Sequence, residues 1–227
     1  ADAPERLRAY LHELQKWNTA YNLTAIRDPQ QMITRHLLDS LSLLPLIGDG
    51  PVLDVGSGAG LPGLVLAIAR PDVAVTVLDS NGKKTRFMRH AVRALAMANV
   101  QVVEARCEAY RPAEPFLQIL SRAFASLADF VDGTRSLLAP GGQWVAMKGK
   151  LEDAEVSALP PDCRIESIHR LQVPELNEDR HAVILSLRSG GEMVMARALV
   201  ARVAPDEVPW VPPVPQVPAG SVPQVPV

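Results

Sequence analysis

The chain has 227 residues, 48% of them hydrophobic, with 23 Lys and Arg against 25 Asp and Glu and a formal net charge of −2. That length holds one α/β domain with a full core and a small appendage, and the charge balance excludes a globally basic nucleic-acid binder, so any RNA contact must come from a local patch. No apolar run approaches the ~20 residues of a membrane span, no basic stretch leads into an apolar segment as in a signal peptide, and Cys107 and Cys163 lack metal-ligand or redox spacing, so a reduced cytoplasmic setting with no metal site is the expectation.

Residues 4–17 carry Leu7, Leu11 and Leu14 at helical spacing. The polar segment from Trp17 to Thr24 reads as a loop. A second helix is predicted from Asp28, with Pro29 at its first position, Gln31 where a capping box takes Glu or Gln, and a buried stripe of Ile33, Leu37, Leu41 and Leu44.

From Pro51 to about Gly149 the pattern alternates. Strands are expected at 52–55, 73–78, 100–105, around 119–120 and at 144–147, with helices at 64–69 and 83–97. Strands alternating with helices imply right-handed crossovers and a doubly wound, mostly parallel sheet. Two further β-like runs, 165–171 and 182–187, are joined by about ten residues containing Pro174 and Asn177, too few for a helix, so they form an antiparallel pair at the sheet edge. From Pro205 onward eight of 23 residues are proline, which cannot enter a sheet interior. The segment 190–227 therefore reads as an extended Pro/Val-rich extension, flexible or of cloning origin.

The strongest local signal is Val52-Leu53-Asp54-Val55-Gly56-Ser57-Gly58-Ala59-Gly60-Leu61-Pro62-Gly63, a strand running into glycines and then a helix start. Asp79 closes the next strand, where a carboxylate can accept hydrogen bonds from ribose hydroxyls. By pattern alone, Gly58-Ala59-Gly60-Leu61-Pro62-Gly63 also matches the dinucleotide fingerprint with its following acid, so an NAD-binding oxidoreductase stays open. Against it, Asp54 lies inside the strand before the first glycine, and none of Tyr10, Tyr21 and Tyr110 has a lysine four residues on, as the short-chain dehydrogenases require.

Several further blocks occur in order: Trp17-Asn18, Tyr21-Asn22-Leu23-Thr24, Arg35-His36-Leu37-Leu38-Asp39-Ser40, Leu78-Asp79-Ser80, Ser121-Arg122-Ala123 and Met147-Lys148-Gly149. With them the chain resembles the bacterial small-subunit rRNA (guanine-N7) methyltransferases, also called glucose-inhibited division protein B, over about residues 17–188. Leu117 departs from the family's common aspartate before the fourth strand.

The resemblance implies a Rossmann-like class I fold dependent on S-adenosyl-L-methionine (AdoMet), with a seven-stranded sheet. It implies a helical cap at 1–50, a methyltransferase domain at 51–189, and a monomer acting on 16S rRNA or the small ribosomal subunit. It places Asp54, Gly56, Gly58, Leu61, Asp79, Cys107, Glu108 and Arg122 at the cofactor, with Asp79 on the ribose and Cys107-Glu108 beside the adenine. Arg122 and Lys148 are the expected catalytic pair, and Asn22, Arg35 and His36 the expected RNA contacts.

Read without the resemblance, Asn22 caps a turn, His36 is a satisfied packing residue, Cys107 is a small buried hydrophobe and Arg122 is an ion-pair partner. The patch Lys83, Lys84, Arg86, Arg89, His90 and Arg93 is either a solvated helix face or an electrostatic footprint for RNA. Guanine N7 has a free lone pair and no proton to lose, so its methylation needs no general base. The absence of an Asn/Asp-Pro-Pro-Tyr/Phe tetrad and of a Pro-Cys nucleophile agrees with that chemistry. A small-molecule methyltransferase with the same cofactor core remains the alternative.

Overall fold

A computed structural model describes residues 2–122 and 124–188. Ala123 of the Ser121-Arg122-Ala123 block and the Pro/Val-rich extension lie outside the described residues.

Helix α1 (Ala3–Tyr21) is capped by Asp2, whose carboxylate accepts from the Glu5 N–H at 3.1 Å. The helix continues through the segment expected to be a loop. Trp17 stacks on Tyr21 at 5.3 Å and packs against Phe87 and His90, and this aromatic contact outweighs the weak helix propensity of the intervening polar residues. The loop starts only at Asn22, whose backbone is left-handed (φ 50°) and whose N–H closes on the Asn18 carbonyl.

The second predicted helix is interrupted. Helix α2 (Pro29–Met32), capped by Asp28, passes into a π-helical turn over Ile33–Leu38 and then a short α3 (Asp39–Leu41). The wider π turn rotates the following face, so the fully buried set is Met32, Thr34, His36, Leu37, Asp39, Ser40 and Leu43. The expected stripe residues Ile33, Leu41 and Leu44 are only partly buried. Polar side chains thereby turn inward where an amphipathic helix would place leucines.

The sheet order is β3-β2-β1-β4-β5-β7-β6. Strands β1 (Val52–Val55), β2 (Val75–Asp79), β3 (Val100–Glu104), β4 (Phe116–Ser121) and β5 (Leu138–Lys148) run parallel. Strand β7 (His181–Leu187) is antiparallel to both β5 and β6 (Cys163–Arg170), as the short connection requires. Helices α4 (Gly63–Ala69) and α5 (Gly82–Ala94) follow β1 and β2, and α5 stops short of the predicted 97 because Ala96 turns left-handed. Sequence reading did not name α6 (Leu127–Thr134) and α7 (Asp153–Ser157), which follow β4 and β5.

Side chains alternate between the two faces of the sheet. Val52, Val75, Val77, Leu120 and Val145 pack with Tyr10, Leu14, Leu64 and Phe87 of the surrounding helices. Leu53, Leu78, Ile119 and Trp144 pack with Phe130 and Val131 of α6 on the other face. The cap helices thus share the core of the strands. Trp144 is fully buried, and its indole N–H donates to the Thr134 hydroxyl at 2.9 Å. Leu117 is 44% exposed and lies across Gly50, where a Cβ would sit 2.3 Å from the leucine Cδ1. No helix among the described residues is long and apolar enough to cross a membrane.

Candidate functional site

Strand order reverses between β1 and β4, which opens a crevice at the carboxyl ends of the strands where α/β sheets bind ligands. The loop after β1 fills its floor. The N–H groups of Gly56 and Ser57 donate to the Leu78 carbonyl at 2.8 and 3.1 Å, fixing the loop to the end of β2. Gly60 has φ 89°, and a Cβ there would lie 2.4 Å from Leu64 Cδ1, so only glycine lets the loop close onto α4.

Asp54 is fully buried beneath this loop. One carboxylate oxygen accepts from the Gly63 N–H at 2.8 Å, while Oδ1 has no hydrogen-bond partner among the described residues. Burial pushes its carboxyl up to about 6. Asp54 therefore braces the loop to α4 from below and does not line the crevice, and Leu61, 3% exposed, packs inward in the same way.

Asp79 faces a cleft of about 300 Å³ lined also by Val55, Gly56, Leu78, Cys107, Glu108 and Phe124. Its carboxylate accepts from the N–H groups of Gly58 and Asn81, each at 2.8 Å, and Lys84 Nζ lies 3.9 Å away. Each oxygen keeps a lone pair for a further donor. Buried acid, bare glycine backbone and apolar strand ends suit a nucleoside bearing ribose hydroxyls, so the residues present fit AdoMet. Burial raises the Cys107 thiol, which favours its neutral form.

A second cleft, of about 290 Å³, opens at the ends of β4 and β5. Arg35, His36, Arg122, Lys148 and Arg180 line it together with buried Asp39. Asp39 accepts from Arg122 at 3.3 Å on one oxygen and from Arg180 at 3.2 Å on the other. Arg122 also donates to the Arg35 carbonyl at 3.4 Å. Arg122 lies on this cleft, while Phe124, two residues on, lies on the Asp79 cleft.

His36 is buried and neutral. Its Nδ1 donates to the Arg35 carbonyl at 3.1 Å, so Nε2 accepts from the Thr24 hydroxyl at 2.9 Å. Burial and then the nearby Arg122 charge lower the imidazole to about 4. Lys148 pairs with Glu155 at 2.5 Å and donates to the Ala125 carbonyl at 3.2 Å. Glu155 also accepts from the Leu127 N–H, so this pair ties β5 and α7 to the start of α6.

Asn22 is outside both clefts. It is exposed at the end of α1, where its side-chain oxygen accepts from Arg27 at 2.8 Å. In the basic patch of α5, Arg89 pairs with Glu104 and His90 with Glu13, which spends part of its charge within the fold.

Sequence reading missed Arg180 and Phe124. No local motif marks Arg180, which reaches the cleft because the next residue, His181, pairs with Lys148 across β5 and β7.

The chain matches the family described as rRNA small subunit methyltransferase G (GidB) over residues 3–183. It is 53% identical over 186 residues to the ribosomal RNA small subunit methyltransferase G of Pseudomonas aeruginosa, covering 82% of this chain and 87% of the relative. It is 54% identical over 188 residues to that of Chromohalobacter salexigens, covering 83% and 89%.

Among solved structures, TrmN from Thermus thermophilus superposes with a TM-score of 0.53 at 23% identity, covering 65% of this chain and 48% of that one. A SAM-dependent methyltransferase from Geobacter sulfurreducens, in complex with S-adenosyl-L-homocysteine, gives 0.51 at 13% identity, covering 78% and 98%. These neighbours show the class I methyltransferase fold, and the family match with the relatives above 50% identity sets aside the dinucleotide-dependent oxidoreductase. The chain belongs to the rRNA small subunit methyltransferase G family.

Proposed function

We propose that the chain transfers a methyl group from AdoMet to N7 of a guanine in 16S rRNA. The observation that carries this reading is the juxtaposition of two clefts at one sheet edge. One is built from glycine backbone and a buried acid; the other is rimmed by arginines. AdoMet, when bound, supplies a methyl group already activated on a sulfonium. The protein's task is then alignment.

In this reading Gly56, Gly58 and Asp79 hold the nucleoside, with Cys107 and Glu108 at its base. Asp54 and Leu61 act from beneath the loop. Arg122 orients the substrate guanine through O6 or a phosphate, since N7 becomes cationic and a guanidinium against it would oppose the reaction. Lys148 braces α7, because its ammonium is already neutralised by Glu155. Arg35 contacts the RNA backbone, and His36 holds the Thr24 loop in place.

Two features favour N7 over sites that must lose a proton. The His36 ring nitrogens are both engaged, and Asp39 is taken up by two arginines, so neither is poised as a general base. The reading carries with it a cytoplasmic, monomeric enzyme acting on 16S rRNA or the small ribosomal subunit.

The test is transfer from methyl-labelled AdoMet to small-subunit RNA and to small subunits from cells lacking the activity. Label at guanine N7 of the 16S rRNA is expected. Label on a small molecule, with none in RNA or subunits, would overturn the reading.

A further inference from the structure

The cationic cleft carries an internal anion. Glu178, in the connection between β6 and β7, gives one carboxylate oxygen to Arg35 and the other to Arg180, the latter at 3.0 Å. Arg35 comes from the π turn of the cap, and Arg180 immediately precedes β7. The two guanidinium groups converge on one carboxylate although they enter from elements far apart in sequence.

Arg180 is fixed from behind by Asp39, which is 3% exposed and also holds Arg122. Glu178 is fixed by nothing comparable. It is exposed, it stands in a loop, and its two arginines are its only hydrogen-bond partners among the described residues.

We propose that Arg35 and Arg180 form a binding site for one backbone phosphate of the RNA substrate, and that Glu178 occupies it until the RNA displaces the carboxylate. This rests on the reading of the chain as an RNA methyltransferase. A phosphodiester carries one negative charge on two non-bridging oxygens, and so does the Glu178 carboxylate. The exchange keeps the local charge constant and offers each guanidinium one oxygen, as the carboxylate does now.

Three arginines and two acids make up this network. Without the phosphate, Glu178 keeps the facing guanidinium groups from repelling one another. With it, the carboxylate swings to solvent, which its exposure permits. A phosphate seated there holds the strand at the mouth of the cleft lined by Arg122, so Arg180 is a positioning residue for the reaction.

The experiment uses the full chain with small-subunit RNA as the probe. Glu178→Gln removes the competing charge, and KM for RNA should fall about two- to fivefold, the worth of an exposed ion pair. Arg180→Ala should raise KM and flatten the slope of log affinity against log salt by about one, the loss of one phosphate contact. AdoMet affinity, measured by calorimetry, should stay at the wild-type value in both.

Arg180 also supports buried Asp39, so a misfolded Arg180→Ala would leave the exposed Glu178→Gln as the deciding variant. Unchanged KM in Glu178→Gln, with wild-type enzyme methylating RNA normally, overturns the displacement model and leaves the assigned activity standing. A wild-type protein that binds AdoMet and methylates no RNA overturns the activity itself.

Discussion

Tyr10 donates a hydrogen bond of 2.7 Å from its hydroxyl to the carbonyl of Ala59, joining the first helix to the glycine loop. Both residues are buried, and burial raises the phenol well above its ordinary range, so the hydroxyl stays protonated and can only serve as the donor. Tyr10 also lies 6.2 Å from Phe87 of α5, so the aromatic layer under the cap and the glycine loop share one side chain.

Removing that hydroxyl with Tyr10→Phe leaves a buried carbonyl without its donor at almost no change in volume. The expected cost is about 1–3 kcal/mol of stability, together with weaker AdoMet binding as the loop loosens. Urea unfolding and calorimetric titration measure the two. Wild-type values in both would show that the loop is held by its strand contacts alone.

Asp79→Ala is expected to weaken AdoMet binding by about 1.5–3 kcal/mol, the worth of hydrogen bonds to a charged acceptor. The structure adds a second cause, because the same carboxylate holds the N–H groups of Gly58 and Asn81. Asp79→Asn retains one acceptor oxygen and should lose less. Equal calorimetric affinity of wild type and a folded Asp79→Ala would remove Asp79 from the cofactor site.

The glycine loop after β1 was legible as a structural element because its signals are local. Residues 52–63 alone carry the strand, the glycines and the helix start, and Asp79 ends the next hydrophobic run. The cationic cleft was only half legible. Arg35 and Arg122 lie in recognisable blocks, but Glu178 meets Arg35 across 143 residues and Arg180 meets Asp39 across 141. No periodicity in the connection between β6 and β7 announces such pairs. The π turn was invisible for a different reason: reading a helix at 3.6 residues per turn assumes the regular spacing that the turn breaks. That assumption chose Leu41 and Leu44 for burial where Asp39 and Ser40 are found. Helix α6 escaped notice because it is eight residues long and contains Gly133.

Asp54 and His36 pull the pH dependence of stability in opposite directions. Asp54 titrates at about 6 in the fold against 3.8 when free, so the native state takes up its proton first and the resulting stability is lost as pH rises through 6. His36 titrates at about 4 against 6.5, so its contribution is present above 6.5 and is lost as pH falls through 4. Between pH 7 and 5 each amounts to about 1–2 kcal/mol of opposite sign. The lowered carboxylates Glu13, Asp72, Glu104, Asp162 and Glu178 titrate below this window. Wild-type stability in urea should therefore be nearly flat from pH 7 to 5. His36→Gln, which cannot titrate, should grow more stable on acidification by about 1–2 kcal/mol, the uncompensated Asp54 share. A variant that tracks the wild-type curve would show that the imidazole is not held neutral.

Arg122 joins the end of β4 to the cap at the second cleft. It follows β4 at the carboxyl edge, pairs with Asp39 of the cap across 83 residues, and lies close enough to Asp54 and His36 to act on the charge of both. Arg122→Ala is expected to reduce methyl transfer at least tenfold, or ~1.4 kcal/mol of transition-state stabilisation. It should also cost stability, since among the described residues Asp39 then keeps only Arg180 as an ion-pair partner in a buried position. Arg122→Lys restores the charge without the planar fork, so stability should recover further than rate. That split separates substrate orientation from simple ion pairing. Single-turnover transfer at saturating AdoMet reads the first, and urea unfolding reads the second. If rate and stability return together in Arg122→Lys, the arginine serves only as the counter-ion of Asp39, and orientation of the guanine must be sought in Arg35 and Arg180 instead.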